Sequence, residues 1–247
     1  MGTDNPEVKN ELFGRMLSSL EFFLNPQIFA DDECKRQINN HLTNGDLVVI
    51  RDALQEPVAT KMFACLDEFS DWKVYEDYKD HFHYHHHNIY EKELYPPDLN
   101  WCREIFGSEP TKSLIQELSQ RDCDGEIVFG ASWYLPGDHS LPHDDVSNQP
   151  GEHRQVAFVW HLTKEWKPNW GGDLFWCRKN RYISPSFNSL ILFNVGPDSF
   201  HHVTQVSPYA TSKRLAISGW WTSISATEDY VKKRDDSTSK PSLVELI

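Results

Sequence analysis

The feature that most constrains this chain of 247 residues is the motif His143-Asp144-Asp145, followed by His201 56 residues beyond Asp145. Residues two apart on an extended strand point to the same side of a sheet. If His143 and Asp145 lie on such a strand, an imidazole and a carboxylate converge on one point, and His201 can supply a second imidazole. Two histidines and one carboxylate suit a transition metal such as Fe(II), with coordination positions left open.

The sequence around this motif is typical of an all-β domain. From Gly125 onward, short apolar runs alternate with turn signals such as Pro136-Gly137 and Gly171-Gly172. These runs predict strands at residues 127–134, 155–162, 173–177, 189–195, 201–206 and 214–222. Many short strands without an internal repeat predict a β-sandwich or jelly roll.

The first 125 residues have a different pattern. Apolar residues at helical spacing predict amphipathic helices at about 7–24, from Asp31 to about Leu42, from Glu56 onward and at 111–120. Leu47-Val48-Val49-Ile50 predicts a short buried strand between two of these helices. We expect three regions in a single domain: a helical and substrate-entrance region (1–125), a catalytic core (126–226) and a flexible, charged C-terminal tail (227–247).

The acidic composition of the chain limits the kinds of molecule that it can bind. The formal net charge is −13 and the pI is near 5.3, which argues against binding to nucleic acid or to an anionic membrane. Five cysteines form no CxxC motif, and no apolar run approaches the ~18 residues that a membrane helix needs. The start of the chain lacks the pattern of a signal peptide. We therefore expect reduced thiols and a cytoplasmic protein.

A histidine-rich tract at 81–87, His-Phe-His-Tyr-His-His-His, is the least certain segment. Histidine-rich tracts can bind metal. Here no second cluster of ligands stands in register with the tract, and its alternation with Phe82 and Tyr84 fits a strand or loop. A structural or substrate-lining role is favoured, and metal binding stays open.

An ordered set of motifs in residues 127–222 resembles the 2-oxoglutarate/Fe(II)-dependent dioxygenases of the prolyl-hydroxylase-like branch. The set begins with Tyr134-x2-Gly137-Asp138-x4-His143-x-Asp145 and Arg154. It continues with Trp170-Gly171-Gly172-Asp173-Leu174, Asn188-Ser189-Leu190-Ile191-Leu192-Phe193, His201-x-Val203 and Arg214-Leu215-Ala216-Ile217-Ser218-Gly219-Trp220. The HxD motif alone is weak, but the set in this order is strong. The resemblance implies a mainly β fold: a double-stranded β-helix, or jelly roll, with N-terminal helices packed on it.

The same resemblance implies the iron ligands. They would be His143, Asp145 and His201, with Asp144 and His202 as rivals; the pattern His-x-Val favours His201. The alternative for His201 is a hydrogen-bonded core histidine.

It also implies the contacts to the co-substrate, 2-oxoglutarate. Arg214 would bind the distal carboxylate through its planar fork, and Tyr134 would hydrogen-bond the co-substrate. His161 stands where prolyl hydroxylases have a tyrosine, and it can donate the same hydrogen bond and add pH dependence. A surface salt bridge for Arg214 and a core role for Tyr134 are the alternatives. Trp220 and Ser218 are candidates for the wall of the pocket.

The activity implied is hydroxylation of an unactivated C–H bond with Fe(II), 2-oxoglutarate and O2, giving succinate and CO2. The substrate would be a prolyl or other amino-acid-type group, or alternatively a small metabolite that is hydroxylated, desaturated or cyclised. A zinc hydrolase lacks an HExxH motif here and leaves Arg214 unexplained. Nucleic-acid demethylation is disfavoured because related repair enzymes carry an arginine where this chain has Trp220. A non-catalytic jelly-roll metal-binding module is the remaining alternative, and the oligomeric state stays open.

Overall fold

An antiparallel sheet that runs through most of the chain organises the fold. The structure is a computed structural model that describes residues 19–28, 32–79, 82–147 and 151–225. Its strands are β1 Leu47–Ile50, β2 Lys73–Lys79, β3 Phe82–Ile89, β4 Val128–Tyr134, β5 His139–Ser140, β6 His153–His161, β7 Leu174–Trp176, β8 Arg181–Ile183, β9 Ser189–Asn194, β10 His201–Val203 and β11 Arg214–Ser223. The large sheet has the order β1-β9-β6-β11-β4-β3-β2, with β5 paired to β3, and a smaller sheet has the order β10-β7-β8.

All the described α-helices come before β4 in the sequence. They are α1 Leu20–Phe23, α2 Asp32–Thr43, α3 Glu56–Glu68, α4 Pro97–Phe106 and α5 Glu109–Ser119. The start of α5 follows from its sequence, because the Ser108 hydroxyl accepts a hydrogen bond from the Thr111 amide and proline follows at the second helical position. No helix within the described ranges is long and apolar enough to cross a membrane.

The large sheet is covered on both faces, and the alternation along its strands decides which residue faces which layer. Phe158 and Trp160 of β6 point toward the helices, where they pack with Phe106 and Trp221. Ala157, between them in sequence, points the other way into a second core shared with Trp176 of the small sheet. Two apolar layers therefore hold the sheet between the helices and the small sheet.

The local predictions agree well with these elements. The predicted strand at 47–50 is β1, and the six strands predicted from residue 127 onward correspond to β4, β6, β7, β9, β10 and β11. The predicted helices from Glu56 and at 111–120 correspond to α3 and α5. Most of the predicted helix at 7–24 and the whole tail at 227–247 lie outside the described residues. The sheet crosses the proposed boundary at residue 125, since β3 pairs with β4.

Candidate active site

A metal-binding geometry occurs where β10 approaches the segment after β5. Among the described residues, one group of three acidic, histidine or cysteine side chains has all its ligand atoms within 4.8 Å of one another, namely His143, Asp145 and His201. The Asp145 Oδ1 atom lies 3.3 Å from His143 Nε2, and its Oδ2 atom lies 3.5 Å from His201 Nε2. The structure thus brings the three predicted ligands together, while His202 packs against Phe175 outside the group.

The outer nitrogens of both histidines are tied to the backbone. The Nδ1 atom of His143 lies 2.8 Å from the carbonyl oxygen of Leu141, and the Nδ1 atom of His201 lies 2.8 Å from that of Ser199. A carbonyl can only accept, so each Nδ1 carries a proton, and each Nε2 offers its lone pair when the ring is neutral. This is how metal-binding histidines are usually oriented. The donor set therefore fits a transition metal.

Asp145 lies beside His143, but strand parity, from which the sequence predicted this, is not what brings it there. His143 forms an isolated bridge to His201 rather than part of a longer strand. Asp145 has a φ of 66°, in the left-handed region, so strand parity does not set its direction. A turn of the backbone brings its carboxylate to the two imidazoles. Asp144, the rival ligand, instead accepts a hydrogen bond from the amide of Val146.

The electrostatics of the three side chains favour a bound cation. Burial alone would raise the pKa of Asp145, but the neighbouring His201 and His143 hold it well below its usual range. Burial lowers the pKa of His201 to about 4 although Asp145 opposes this. Burial also acts to lower the pKa of His143, but the hydrogen bond with Asp145 raises it overall. An ionised carboxylate and a neutral imidazole are the forms that bind metal.

Arg214, at the start of β11, is a buried cation whose guanidinium forms no ion pair among the described residues. It is 2% exposed, which excludes the surface salt bridge considered from the sequence. Its Nε atom donates to the carbonyl oxygen of Gly172 at 2.5 Å, and its guanidinium carbon lies 4.4 Å from the centre of the Tyr134 ring. Within the described part of the chain no carboxylate forms an ion pair with it. Burial lowers its pKa, and Tyr134 and Asp173 oppose this shift. A buried charge without a counter-ion indicates a site for an anion.

The two glycines before β7 explain how the carbonyl reaches Arg214. Gly172 has a φ of 67°, and a Cβ atom there would lie 2.8 Å from the Cδ atom of Arg214. Only glycine combines this backbone conformation with so close an approach. Gly172 of the motif Trp170-Gly171-Gly172 is therefore part of the arginine site.

His161, at the end of β6, is completely buried, and neither of its ring nitrogens has a hydrogen-bond partner. It lies on the same face of β6 as Val159, which lines the cavity described below. Burial and the charge of Arg214 put its pKa well below the usual value. The pH dependence expected from the sequence is therefore not supported for the protein without a bound anion, because the imidazole is already neutral at physiological pH. The unsatisfied nitrogens indicate a missing polar partner.

A cavity of about 740 Å³ connects the metal-binding group with Arg214. Both predicted wall residues, Ser218 and Trp220, line it. Trp220 stacks under the guanidinium of Arg154, whose central carbon lies 3.8 Å from the ring centre.

A substrate-lining role was predicted for the histidine-rich tract at 81–87, but its individual lining residues and those near it were not. The structure shows them to be Tyr75, Tyr84, His86 and Tyr90. His86 stacks on Tyr134 at 4.8 Å between ring centres, with the rings nearly parallel. The signal for Tyr84 and His86 was present, since the even-numbered positions of β3 share one face.

Comparison with known proteins identifies this part of the chain. The model of the 2OG-Fe(II) oxygenase superfamily matches residues 129–222, the stretch that carries the three metal-binding side chains and Arg214. Residues 129–222 form a 2OG-Fe(II) oxygenase domain. Enzymes of this superfamily use Fe(II), 2-oxoglutarate and O2, in agreement with the donor set found here.

Curated relatives of the domain are prolyl hydroxylases. The chain is 31% identical over 134 residues to mouse prolyl 3-hydroxylase OGFOD1. This match covers 51% of this chain and 24% of the relative. It is 31% identical over 158 residues to the prolyl 3,4-dihydroxylase OGFOD1 of Ostreococcus tauri, covering 58% of this chain and 29% of the relative. The chain thus spans less than a third of the length of these relatives.

Solved structures share the fold. A Pseudomonas putida prolyl-4-hydroxylase superimposes with a TM-score of 0.58 at 15% identity, covering 76% of this chain and 98% of that one. The prolyl hydroxylase of Trichoplax adhaerens, in complex with a hypoxia-inducible-factor peptide fragment, gives a TM-score of 0.57 at 18% identity, with coverages of 84% and 95%. The predicted jelly-roll fold with N-terminal helices is confirmed.

Proposed function

We propose that this protein is a 2-oxoglutarate-dependent dioxygenase that hydroxylates prolyl residues in a peptide or protein. The observation that carries the proposal is the presence, in one cavity, of a two-histidine, one-carboxylate group and a buried arginine without a counter-ion. The first supports a metal ion with open coordination positions, and the second supports a dianionic co-substrate. A zinc hydrolase or a metal-binding module would leave the arginine without a role.

In this proposal His143, Asp145 and His201 would hold Fe(II). Their orientation is fixed before the metal arrives, because both imidazoles are tied to backbone carbonyls and the carboxylate is ionised. Preorganised ligands reduce the reorganisation needed for binding.

The co-substrate would lie along the floor of the cavity between the metal and β11. Arg214 would donate both terminal nitrogens to the distal carboxylate of 2-oxoglutarate. Tyr134, stacked beside this guanidinium, would donate its hydroxyl, which stays protonated because burial raises its pKa above the usual value. The neutral His161 would donate an N–H, which would satisfy one of its two unpaired nitrogens.

The substrate end of the cavity is aromatic. Trp220, Tyr84 and Tyr90 line it, and flat apolar faces suit the pyrrolidine ring of a prolyl residue. The relatives named as prolyl hydroxylases support the same substrate class. Arg154, held over Trp220, would donate to a carbonyl oxygen of the substrate peptide.

Bound Fe(II) and 2-oxoglutarate would supply the oxidising power for inserting one oxygen atom into a C–H bond, with succinate and CO2 as co-products. The chain's own residues contribute position and shielding. Arg214 and its partners orient the co-substrate, and the aromatic wall orients the substrate and excludes water.

The direct test begins with an anaerobic titration of the metal-free protein with Fe(II) and 2-oxoglutarate. We expect a visible iron-to-ketoacid charge-transfer band, and then, with O2 and proline-containing peptides, the gain of one oxygen atom on a prolyl residue with stoichiometric succinate. Succinate formed with free amino acids but not with peptides would overturn the proposed substrate class. Metal binding without any band would overturn the proposed chemistry.

We also infer a reducing, cytoplasmic location for this protein. Cys65, Cys102, Cys123 and Cys177 form no disulfide, and burial raises the pKa of all four thiols. Free thiols are the usual state in a reducing compartment.

A further inference from the structure

The histidine-rich tract forms strand β3, and the strand separates its side chains into two sets. The even-numbered set faces the catalytic cavity through Tyr84 and His86. The odd-numbered set, which includes His83 and His85, faces away from it. This outer face is continued by the neighbouring strands, because His85 pairs in register with Glu76 of β2 on one side and His139 of β5 on the other.

On this outer face two imidazoles meet directly. The Nδ1 atom of His83 lies 3.0 Å from the Nε2 atom of His139. The two residues are 56 positions apart in sequence, so the second partner of the tract is invisible from the tract itself. Tyr78 stacks on the His83 ring at 4.2 Å between ring centres, and its hydroxyl donates a hydrogen bond to Glu76 at 2.8 Å. These two contacts fix one face of the His83 ring.

The groups around the pair fix the direction of its lone pairs. The Nδ1 atom of His139 lies 3.1 Å from the carbonyl oxygen of Gly137, which can only accept, so this nitrogen carries the proton. On the far side of His83, the Nε2 atom lies 3.5 Å from Glu76 Oε1, and this carboxylate favours a proton there. With both outer nitrogens protonated, the two inner nitrogens face each other with lone pairs. Such a contact is repulsive unless a cation lies between them.

The separation of the inner nitrogens suits a metal ion. Two imidazoles bound to one tetrahedral Zn²⁺ at 2.0–2.1 Å place their nitrogens about 3.3 Å apart, which the pair reaches with a shift of a few tenths of an ångström. The support is also of the right kind, since the Glu76 carboxylate lies 3.5 Å from the outer nitrogen of His83 and the Gly137 carbonyl accepts from that of His139. Carboxylates and carbonyls stand at these positions around metal-bound histidines generally. His143 and His201 in the catalytic cavity are oriented in the same way, since their Nδ1 atoms donate to the carbonyl oxygens of Leu141 and Ser199.

We propose that His83 and His139 form a second metal site, distinct from the catalytic one, for a divalent transition-metal ion of the Zn²⁺ class. Water would complete the coordination, and Glu76 and the carbonyl of Gly137 would orient the two ligands. Nitrogen ligands select Zn²⁺, Ni²⁺ or Cu²⁺ over the hard Mg²⁺. Because β3 carries Tyr84 and His86 on its other face, a metal bound here would also fix the strand that forms the wall of the catalytic cavity.

Calorimetric titration with Zn²⁺ tests the proposal on the whole chain. We expect two Zn²⁺ ions per wild-type chain and one per chain for His83→Gln and for His139→Gln. The matched control is His41→Gln, a surface histidine on α2 with a 60% exposed side chain, which should still bind two. Replacing both Asp145 and His201 by alanine should leave the outer site as the one that binds.

Three outcomes decide the matter. A single site in the wild-type chain, or two sites retained in both outer-face variants, would overturn the proposal; the shared cation would then be a proton. If either glutamine variant fails to fold, Glu76→Gln gives the answer, because removing an orienting carboxylate should weaken the second site by about tenfold and leave the first unchanged. An unchanged second site in Glu76→Gln would contradict the assigned ligand orientation. Titration with Mg²⁺ should show no outer-face binding.

Discussion

His143 and His201 exchange both of their backbone hydrogen bonds, each amide donating to the other's carbonyl oxygen at 2.9 Å. Their ring centres lie 4.4 Å apart as a result. A single strand-like pair of bonds therefore fixes two of the three candidate ligands, although they come from distant parts of the sequence. Since the backbone sets the position, changing one side chain should remove a ligand without displacing the other.

The first prediction concerns this group. His201→Ala should lower the affinity for Fe(II) by more than about 100-fold, because the loss of a direct ligand exceeds the 10–100-fold cost of losing an orienting partner. Metal content and the charge-transfer band after anaerobic reconstitution measure the effect. His202→Gln is the control and should bind Fe(II) normally, since His202 packs on Phe175 outside the group. Normal iron binding by His201→Ala would exclude His201 as a ligand.

The second prediction separates function from stability at Arg214. Arg214→Met should raise the KM for 2-oxoglutarate by at least about 30-fold, because removing one partner of a buried charge pair costs about 2–5 kcal/mol. Without co-substrate, the same variant should be more stable to urea by about 1 kcal/mol, since it removes a buried charge that has no counter-ion.

The control for this pair of effects is Arg36→Met. Arg36 is a surface residue with a 70% exposed side chain that pairs with Glu33, so neither the KM nor the stability should change appreciably. A destabilised Arg214→Met variant with an unchanged KM would instead assign the arginine a structural role.

The third prediction tests His161 as a hydrogen-bond donor. His161→Phe keeps an aromatic ring and loses the N–H, so the KM for 2-oxoglutarate should rise by about tenfold, the equivalent of about 1.4 kcal/mol. His161→Tyr should restore much of the loss if its hydroxyl reaches the same carboxylate. If both variants bind the co-substrate like the wild type, the buried imidazole has another partner.

The strands and the candidate ligands are the parts of this structure that the sequence determines locally. Apolar alternation bounded by Pro-Gly and Gly-Gly turns placed the strand at 127–134 within one residue of β4, because both signals act over a few neighbouring residues. The spacing of His143, Asp145 and His201 likewise identified a set that the fold brings together. The strand parity used for Asp145 failed because a left-handed backbone conformation is not encoded by alternation.

Strands β2 and β3 show why the rest was not predictable. Both faces of β3 carry polar and aromatic side chains, since one lines a polar cavity and the other bears the histidines of the outer face. Apolar periodicity is then absent and the pattern looks like a loop. The pairing of His83 with His139 depends on the contact between β3 and β5, a long-range event that local sequence does not report.

The fourth prediction concerns the close approach of the backbone to Arg214. Gly172→Ala places a Cβ atom 2.8 Å from the Cδ atom of Arg214 and strains a backbone with a φ of 67°. The arginine must move, so the KM for 2-oxoglutarate should rise while Fe(II) binding in the absence of co-substrate stays normal. Gly151→Ala is the matched control, because Gly151 has a φ of 80° and no atom within 4 Å of an added Cβ. Equal effects in both variants would show that backbone strain alone is responsible.

The fifth prediction follows from the burial of His86, which lowers its pKa from 6.5 to about 3, with Arg214 contributing to the shift. The unfolded chain binds a proton at this residue below about pH 6.5, whereas the folded chain stays neutral there until about pH 3. Stability from the neutral imidazole is therefore complete above pH 6.5 and is lost as the pH falls toward 3. His86→Phe keeps the stacking on Tyr134 and removes the titration. The free energy of unfolding in urea should then fall less between pH 7 and pH 5 in His86→Phe than in the wild type. Parallel pH profiles for the two proteins would mean that His86 is protonated in the folded state as readily as in the unfolded one.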